Sequence, residues 1–152
     1  LVKGTIDMWS KGNHVDVLFE QRSANVMIEI PRIAFSQALT NLLENAREAQ
    51  HANGNNAPIR VTVERVGEKC IIQIIDRGIG LPSTKEQVGE PFFTTKHSGT
   101  GLGVYVARAV AQGAGGGLGY DTSTDDTTIA RWWFPASSPR RNLHVVHSQT
   151  DS

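Results

Sequence analysis

The stretch Glu90–Val110 reads EPFFTTKHSGTGLGVYVARAV and holds three glycines at alternate positions directly before an apolar run. A glycine-rich turn that leads into a helix exposes free backbone N–H groups and the positive end of the helix dipole, which suits an anion. The stretch matches neither the P-loop nor the dinucleotide fingerprint, since Val104 and Val106 stand where the fingerprint needs a glycine. On spacing alone, phosphate binding and a plain connector before a helix are equally open.

A pair of asparagines marks the predicted helix PRIAFSQALTNLLENAREAQ, which Pro31 opens. Its apolar residues at helical spacing are Ile33, Leu39, Leu42, Leu43 and Ala46. Asn41 and Asn45 lie four apart on one face, with Glu48 near the same side. Asparagine is a poor helix former, but its amide oxygen is a hard neutral ligand that suits Mg²⁺. A solvated polar face explains the pair as well.

An aspartate ends the nearly all-apolar strand CIIQIID and is followed by two spaced glycines, Gly78 and Gly80. A carboxylate at this place is partly desolvated, and it can accept a hydrogen bond from a ligand amine such as that of adenine. Asp76-Arg-Gly is also common turn chemistry. The segment alone therefore leaves a ligand contact and a turn open.

The order of the predicted elements favours an α+β fold. We predict strands at Val15–Gln21 and Asn25–Pro31, the asparagine helix, a hairpin of Ile59–Val66 and Cys70–Asp76, a helix at Gly103–Ala114, and strands at Leu118–Thr122 and Thr127–Phe134. About 20 irregular residues precede the last helix, and loops of that length are often functional. The sequence predicts a two-layer α/β sandwich with helices on one face of a mixed sheet. Trp132 and Trp133 should point to opposite faces.

Composition narrows the function classes. The 152 residues carry no formal net charge, which argues against a nucleic-acid partner. Cys70 is the single cysteine, so an internal disulfide is impossible; we expect an intracellular setting and a buried strand residue. The chain begins at Leu1, and we expect a piece of a longer protein. We expect residues 1–12 to be the tail of an upstream helical dimerisation segment, 13–135 the catalytic domain, and 136–152 a polar, disordered tail.

Taken together, these features resemble the catalytic, ATP-binding domain of two-component sensor histidine kinases. The wider superfamily also holds gyrase, Hsp90 and the mismatch-repair ATPases. Four motifs carry the resemblance in order: the N box Asn41–Asn45, the G1 box Asp76–Gly80, the F box Pro91–Lys96 and the G2 box Gly99–Gly103. The sequences PFFTTK and GTGLG are most similar to those of kinases of the nitrogen-regulation or redox-responding kind. The resemblance covers residues 13–135.

The resemblance implies a role for each matched position. Asn45 would ligate Mg²⁺ at the ATP phosphates with Asn41 beside it, and both are candidate catalytic residues. Asp76 would bind the adenine amine, and Thr128 would help to hold adenine through water. The remaining implied nucleotide contacts are Gly78, Gly80, Thr95, Lys96, Gly99, Thr100, Gly101, Leu102 and Gly103. The residues between the G1 and G2 boxes would form a mobile lid over ATP.

Two positions depart from the family pattern, and a third separates this chain from the hydrolases of the superfamily. Gln37 stands where many of these kinases have His or Glu, and Glu48 stands where many have a phosphate-binding cation, so neither Glu48 nor Arg47 is assigned to phosphate. The hydrolases of the superfamily place a glutamate base four residues before the metal asparagine, where this chain has Asn41. An amide cannot accept a proton from water. The resemblance therefore implies transfer of the γ-phosphoryl group to a protein histidine.

The implied partners lie outside this chain. They are the dimerisation segment with its phosphoacceptor histidine and a downstream response regulator, in a cytoplasmic setting. The full-length kinase is expected to be a homodimer, and an anchor in the inner membrane is left open. His14 is not nominated as the acceptor, because it lacks the expected acidic helical context. Other open hypotheses are an anti-sigma-factor-type serine kinase, a non-catalytic nucleotide module, which Glu48 mildly favours, and an ATP-driven conformational machine, which Asn41 disfavours.

Overall fold

The computed structural model describes residues 1–78, 102–122 and 127–137. Within them the chain forms three helices and five strands. In chain order these are α1 (Val2–Asn13), β1 (Val17–Gln21), α2 (Arg32–Ala52), β2 (Ile59–Val66), β3 (Lys69–Asp76), α3 (Leu102–Gly113), β4 (Gly117–Thr122) and β5 (Thr128–Pro135). The strands form one sheet in the order β1-β2-β3-β5-β4.

The sheet is mixed, as predicted. β1 runs parallel to β2, whereas β2, β3, β5 and β4 pair antiparallel. Gly67, with a φ of 62°, makes the turn between β2 and β3, a backbone conformation that glycine adopts without cost. The predicted hairpin is confirmed, and its second strand, β3, occupies the centre of the sheet.

One face of the sheet packs against the helices. Val63, Ile72 and Trp132 are in register across β2, β3 and β5, and all three are buried. The Trp132 ring stacks on Phe35 of α2 with centroids 5.0 Å apart, and its indole N–H donates to the Ala107 carbonyl of α3 at 2.9 Å. Trp132 therefore joins both helices to the sheet.

The other face of the sheet carries half-buried side chains. Trp133 is half-buried there, with the Lys69 ammonium 4.3 Å from its ring centroid. The predicted division of the two tryptophans is confirmed.

Cys70 is 3% exposed, and burial raises the pKa of its thiol to about 11. The prediction that Cys70 is a buried strand residue is confirmed.

The predicted strand Asn25–Pro31 is wrong. This segment makes one isolated bridge, between Met27 and Ser137, and no ladder. Val26, Ile28 and Ile30 do pack against the core at alternate positions. The alternation thus reports packing against the core without a neighbouring strand.

The start of α2 also differs from the prediction. Pro31 is the N-cap with an extended backbone, and Ile33 is 77% exposed. The buried stripe begins instead at Phe35 and continues at helical spacing. Its members are Phe35, Ala38, Leu39, Leu42, Leu43, Ala46 and Gln50.

Helix α1 packs against the same core as the sheet. Ile6 and Trp9 are buried in the core, and the Thr5 and Ser36 hydroxyls lie 3.1 Å apart between α1 and α2. The expected boundary at residue 12 stays a prediction. The expected lid between the G1 and G2 boxes and most of the expected tail, 138–152, lie outside the described residues. In the part of the chain that is described, we find no helix with the length and apolar character of a membrane span.

Candidate functional site

The first turn of α3 lies directly against the asparagine face of α2. A Cβ built on Gly103 would stand 3.5 Å from the Asn41 Cβ, so glycine leaves this contact close but unstrained. Leu102 begins the helix and is 36% exposed. The structure therefore brings the predicted residues Asn41 and Gly103 together, at the N-terminal end of α3.

Asp76 ends β3 as a buried carboxylate. It is 8% exposed, and its Oδ1 accepts the Gly78 N–H at 2.9 Å. Burial raises the pKa of Asp76 to about 6, and the Gly78 hydrogen bond lowers it by less than burial raises it. The carboxylate is thus ionised at neutral pH in a place that disfavours the charge.

Thr128 lies next to Asp76 across the sheet. The two residues are register partners in β3 and β5, and Thr128 is 6% exposed. Within the described residues, its Oγ1 has no hydrogen-bond partner. Buried hydroxyls are nearly always paired, and each exception asks for an explanation such as a bound water or ligand. A carboxylate and an unsatisfied hydroxyl at one place are suited to a polar ligand.

Gly78 is required by the packing of α2. A Cβ at this position would lie 2.5 Å from the Ala49 Cβ and 2.6 Å from the Ala49 carbonyl carbon. The Gly78 carbonyl also accepts a hydrogen bond from the Asn53 amide at 3.3 Å. The resemblance implies that Gly78 lets the adenine base approach the backbone, and this role stays a prediction. The close contact with α2 by itself explains why this position needs glycine.

Tyr120 is a site residue that the sequence did not indicate. It lies on the core-facing side of β4, opposite Ala130 of β5. Burial raises the pKa of Tyr120; the nearby Asn45 side chain and the charge of Arg108 lower it, and the charge of Asp76 raises it. Asn45, Tyr120 and Asp76 therefore share one neighbourhood. Which α2 residue a β4 side chain meets depends on packing, so the sequence held no signal for this contact.

Gln50 was missed as well. It is 4% exposed, and its amide donates to the Ala57 carbonyl at 2.7 Å and accepts the Arg77 N–H at 2.9 Å. It thus connects the end of α2 to the residue after Asp76. A signal was available, since Gln50 is four residues after Ala46 on the buried stripe.

Two basic residues were considered as phosphate contacts in the sequence, and the structure describes one of them, Arg47. The Arg47 Nε donates to Glu44 Oε2 at 2.9 Å, and this bond raises the pKa of Arg47. The guanidinium is therefore engaged by a carboxylate on its own helix. Six predicted nucleotide contacts lie outside the described residues: Gly80, Thr95, Lys96, Gly99, Thr100 and Gly101.

Comparison with known proteins agrees with this geometry. The family model described as histidine kinase-, DNA gyrase B-, and HSP90-like ATPase matches residues 31–138. The chain is 37% identical to nitrogen regulation protein NtrY of Azorhizobium caulinodans over 78% of this chain and 16% of that protein. It is 30% identical to sporulation kinase B of Bacillus subtilis over 91% of this chain and 33% of that protein. The chain thus spans a third or less of these curated relatives.

Solved structures show the same architecture. The nucleotide-free catalytic domain of histidine kinase ThkA superposes with a TM-score of 0.76 at 27% identity, covering 88% of this chain and 89% of that one. The histidine kinase domain of the E. coli osmosensor EnvZ superposes with a TM-score of 0.67 over 91% of this chain and 86% of that one. At 21% identity, the second likeness concerns the fold alone.

Proposed function

This chain belongs to the histidine kinase-, DNA gyrase B- and HSP90-like ATPase family, and from that premise we propose that it is the catalytic domain of a sensor histidine kinase. It binds ATP with Mg²⁺ between α2, the start of α3 and the adjoining ends of β3 and β5. It then donates the γ-phosphoryl group to a histidine on an upstream segment, for relay to a response regulator. The likeness to NtrY and to sporulation kinase B supports this reading.

The observation that carries the nucleotide assignment is the pair of Asp76 and Thr128. A buried carboxylate offers an acceptor, and the neighbouring hydroxyl, which has no partner among the residues that the structure describes, offers a donor or an acceptor. The adenine edge presents an amine donor next to a ring nitrogen acceptor, which is the matching pattern. Asp76 would accept from the amine, and Thr128 would complete the contact directly or through a water.

The residues present also fit a magnesium ion. Mg²⁺ binds through hard oxygen ligands and usually keeps several waters while it contacts phosphates. Asn45 offers a neutral amide oxygen on the α2 face that also carries Asn41, and Asn41 contacts the start of α3. Asn45 would hold the ion. When bound, Mg²⁺ supplies charge neutralisation at the phosphates.

The side chain at position 41 favours transfer over hydrolysis. A carboxylate there could act as general base toward water, but the Asn41 amide has no such capacity. Phosphoryl transfer depends mainly on positioning and on stabilisation of charge. The chain's own residues can orient the nucleotide, and the acceptor histidine then replaces water. The slow ATP turnover expected of the isolated domain separates this proposal from a conformational ATPase.

The proposal is tested with a longer chain that carries the segment before Leu1, incubated with γ-labelled ATP and Mg²⁺. We expect acid-labile, base-stable label on that chain, which is the behaviour of phosphohistidine. Asp76→Asn and Asn45→Ala in the same chain should remove the label, while Asp16→Asn, at an exposed position, should keep it. Acid-stable label on a partner would identify a serine kinase instead. Rapid phosphate release without label on protein would contradict the transfer proposal.

A further inference from the structure

The backbone that follows Asp76 is held by two side chains from the end of α2. The ladder between β3 and β5 ends at the pair of Asp76 and Thr128, and Arg77 lies beyond it. The Arg77 N–H donates to Gln50 Oε1 at 2.9 Å, and Asn53 Nδ2 donates to the Arg77 carbonyl at 3.3 Å. Backbone groups that leave a ladder need such partners. The end of α2 therefore supplies them for this turn.

One peptide group connects Asn53 to the Asp76 carboxylate. It consists of the Arg77 carbonyl, which accepts from Asn53, and the Gly78 N–H, which donates to Asp76 Oδ1 at 2.9 Å. A trans peptide group is planar, and its C=O and N–H bonds point in opposite directions. A side chain that holds the oxygen therefore also fixes the direction in which the N–H points.

The residue type at position 78 makes this restraint important. A peptide group can turn over when the residue after it tolerates either sign of φ, and glycine does so at little cost. Turned over, the group would direct its oxygen toward the Asp76 carboxylate and its N–H away from it. Asn53 Nδ2 also donates to the Gly78 carbonyl at 3.3 Å, so one amide holds two successive carbonyls. Asn53 is thus placed to exclude the turned-over state.

We propose that Asn53 is a positioning residue that holds the peptide group between Arg77 and Gly78 and so orients the Asp76 carboxylate toward the adenine amine. This inference rests on the proposed role of Asp76 in binding adenine. Asn53 is the C-cap of α2, is exposed, and lies outside the four sequence motifs. It would act on the base only through the Asp76 carboxylate.

The test is Asn53→Ala, which removes both side-chain hydrogen bonds at an exposed position. Calorimetry with Mg²⁺ measures the affinities for ATP and for inosine triphosphate, which has an oxo group in place of the adenine amine. We expect the ATP affinity to fall about three- to tenfold, the range of a single hydrogen bond. The affinity for inosine triphosphate should change less than about twofold. Equal losses for both nucleotides would indicate general damage to the fold and would overturn the inference.

A second readout needs no nucleotide. The Gly78 N–H bond favours the charged form of Asp76 and so lowers its pKa. In Asn53→Ala the peptide group can turn over, so the pKa of Asp76, followed by NMR of its carboxyl carbon, should rise. Asn56→Ala is the matched control, since Asn56 is exposed in the loop after α2; it should change neither the pKa nor the two affinities. An unchanged pKa of Asp76 in Asn53→Ala would also overturn the inference.

The unaltered chain separates failure of this inference from failure of the proposed function. If it binds ATP and inosine triphosphate equally well, the adenine role of Asp76 fails and this inference fails with it. If it prefers ATP and Asn53→Ala keeps that preference, only the positioning role fails.

Hydrogen exchange of the Gly78 amide decides the matter if Asn53→Ala does not fold. In the unaltered chain this amide should exchange more slowly than an amide without a hydrogen bond, because the peptide group is held in one orientation. Exchange at the rate of an unprotected amide would mean that Asn53 does not fix this peptide group.

Discussion

At the residue scale, Asp76 is a carboxylate that the folded chain stabilises poorly. It is 8% exposed, and it accepts a hydrogen bond from the Gly78 N–H. The pKa of Asp76 is raised from 3.8 to about 6 because burial disfavours the charged form. A ligand amine would supply a further hydrogen bond to the charged form. The buried Asp76 charge should therefore lower the stability of the ligand-free fold and strengthen the binding of a ligand that donates a hydrogen bond to it.

The substitution Asp76→Asn tests this opposition directly. We expect ATP binding to fall by two orders of magnitude or more, while the free energy of unfolding without nucleotide at pH 7 rises by up to about 3 kcal/mol, the equivalent of about two pKa units. The asparagine oxygen can still accept the Gly78 N–H, so only the buried charge is removed. Calorimetry and urea denaturation measure the two effects.

The sign of the stability change follows from linkage. Between pH 4 and pH 6 the folded chain binds the Asp76 proton more tightly than the unfolded chain does, so this residue makes stability fall as pH rises through that window. Asp76→Asn should flatten that part of the profile. The exposed control Asp16→Asn should leave binding and stability unchanged. A loss of stability in Asp76→Asn at pH 7 would refute the assignment of a strained buried charge.

The pH dependence of ligand binding gives a separate prediction. Below pH 6 protonation of Asp76 removes its charge, so the affinity for an adenine ligand should fall as the pH is lowered. Above pH 7 the affinity should be constant. Adenosine is the suitable ligand, because it has no phosphate that titrates in the same range. Its affinity is measured by NMR titration from pH 5 to pH 8. A flat profile would mean that the Asp76 charge does not contact the base.

The close packing of Gly78 against α2 leads to a prediction about stability. In Gly78→Ala the new Cβ would lie 2.5 Å from the Ala49 Cβ, so the loop or α2 must shift. We expect a loss of about 1–3 kcal/mol in the free energy of unfolding, typical of overpacking, measured by denaturation without nucleotide. Gly119→Ala is the matched control, since nothing lies within 4 Å of a Cβ there. Equal stabilities of the two variants would show that α2 yields freely at Ala49.

Short motifs name several candidate site residues that the structure brings close together, and their roles stay predictions. Asn41 lies against Gly103, and Asp76 and Thr128 are adjacent across the sheet. Tyr120 could not be found in this way, since Asn45, which lies near it, is 75 residues earlier in the chain. The position of Gln50 on the buried stripe of α2 was a signal of its burial, but its partner Arg77 is 27 residues away. Contacts of that separation follow from packing and leave no local pattern.

At the scale of elements, the spacing of apolar residues along the sequence distinguished helices from paired strands. It could not distinguish a paired strand from an extended segment without a neighbour. β2 and β3 show dense apolar runs and find partners on both sides. Asn25–Pro31 shows the same alternation because it packs its apolar side chains on the core, yet it forms one bridge. Alternation reports one buried face; a strand also needs a hydrogen-bonded neighbour, which is a property of the fold.

The end of α2 gives the prediction at this scale. Gln50→Leu keeps the size of the side chain but removes the partners of the Ala57 carbonyl and the Arg77 N–H. The loss of these two part-buried hydrogen bonds should lower the free energy of unfolding by about 1–3 kcal/mol. Because Arg77 follows Asp76, affinity for ATP should fall as well.

The control for this prediction is Gln21→Leu. Gln21 donates to the Ser23 carbonyl at 3.0 Å, but it is exposed at the edge strand β1. Its loss should change stability by less than about 0.5 kcal/mol. If both leucine variants are equally stable in denaturant, the connection between α2 and the Asp76 loop is not a stabilising one.

At the scale of the whole molecule, the candidate site depends on elements that are far apart along the chain. Asn45 belongs to α2, Asp76 to β3, Tyr120 to β4 and Gly103 to α3. The helices and the sheet share one core in which Trp132 contacts both α2 and α3. The site geometry therefore depends on the packing of the two layers, and a change in the core should be felt at the nucleotide.

Helix α1 supplies the last prediction, since its place in the molecule decides where this domain begins. Trp9→Ala should lower the free energy of unfolding by about 3–5 kcal/mol, because Trp9 is 7% exposed within the same core as the sheet. Its neighbour Met8 is 81% exposed, so Met8→Ala should change stability by less than about 0.5 kcal/mol. Urea denaturation of both variants measures the difference. If α1 were instead a tail of an upstream segment that only rests on the domain, Trp9→Ala would unfold at the same urea concentration as Met8→Ala.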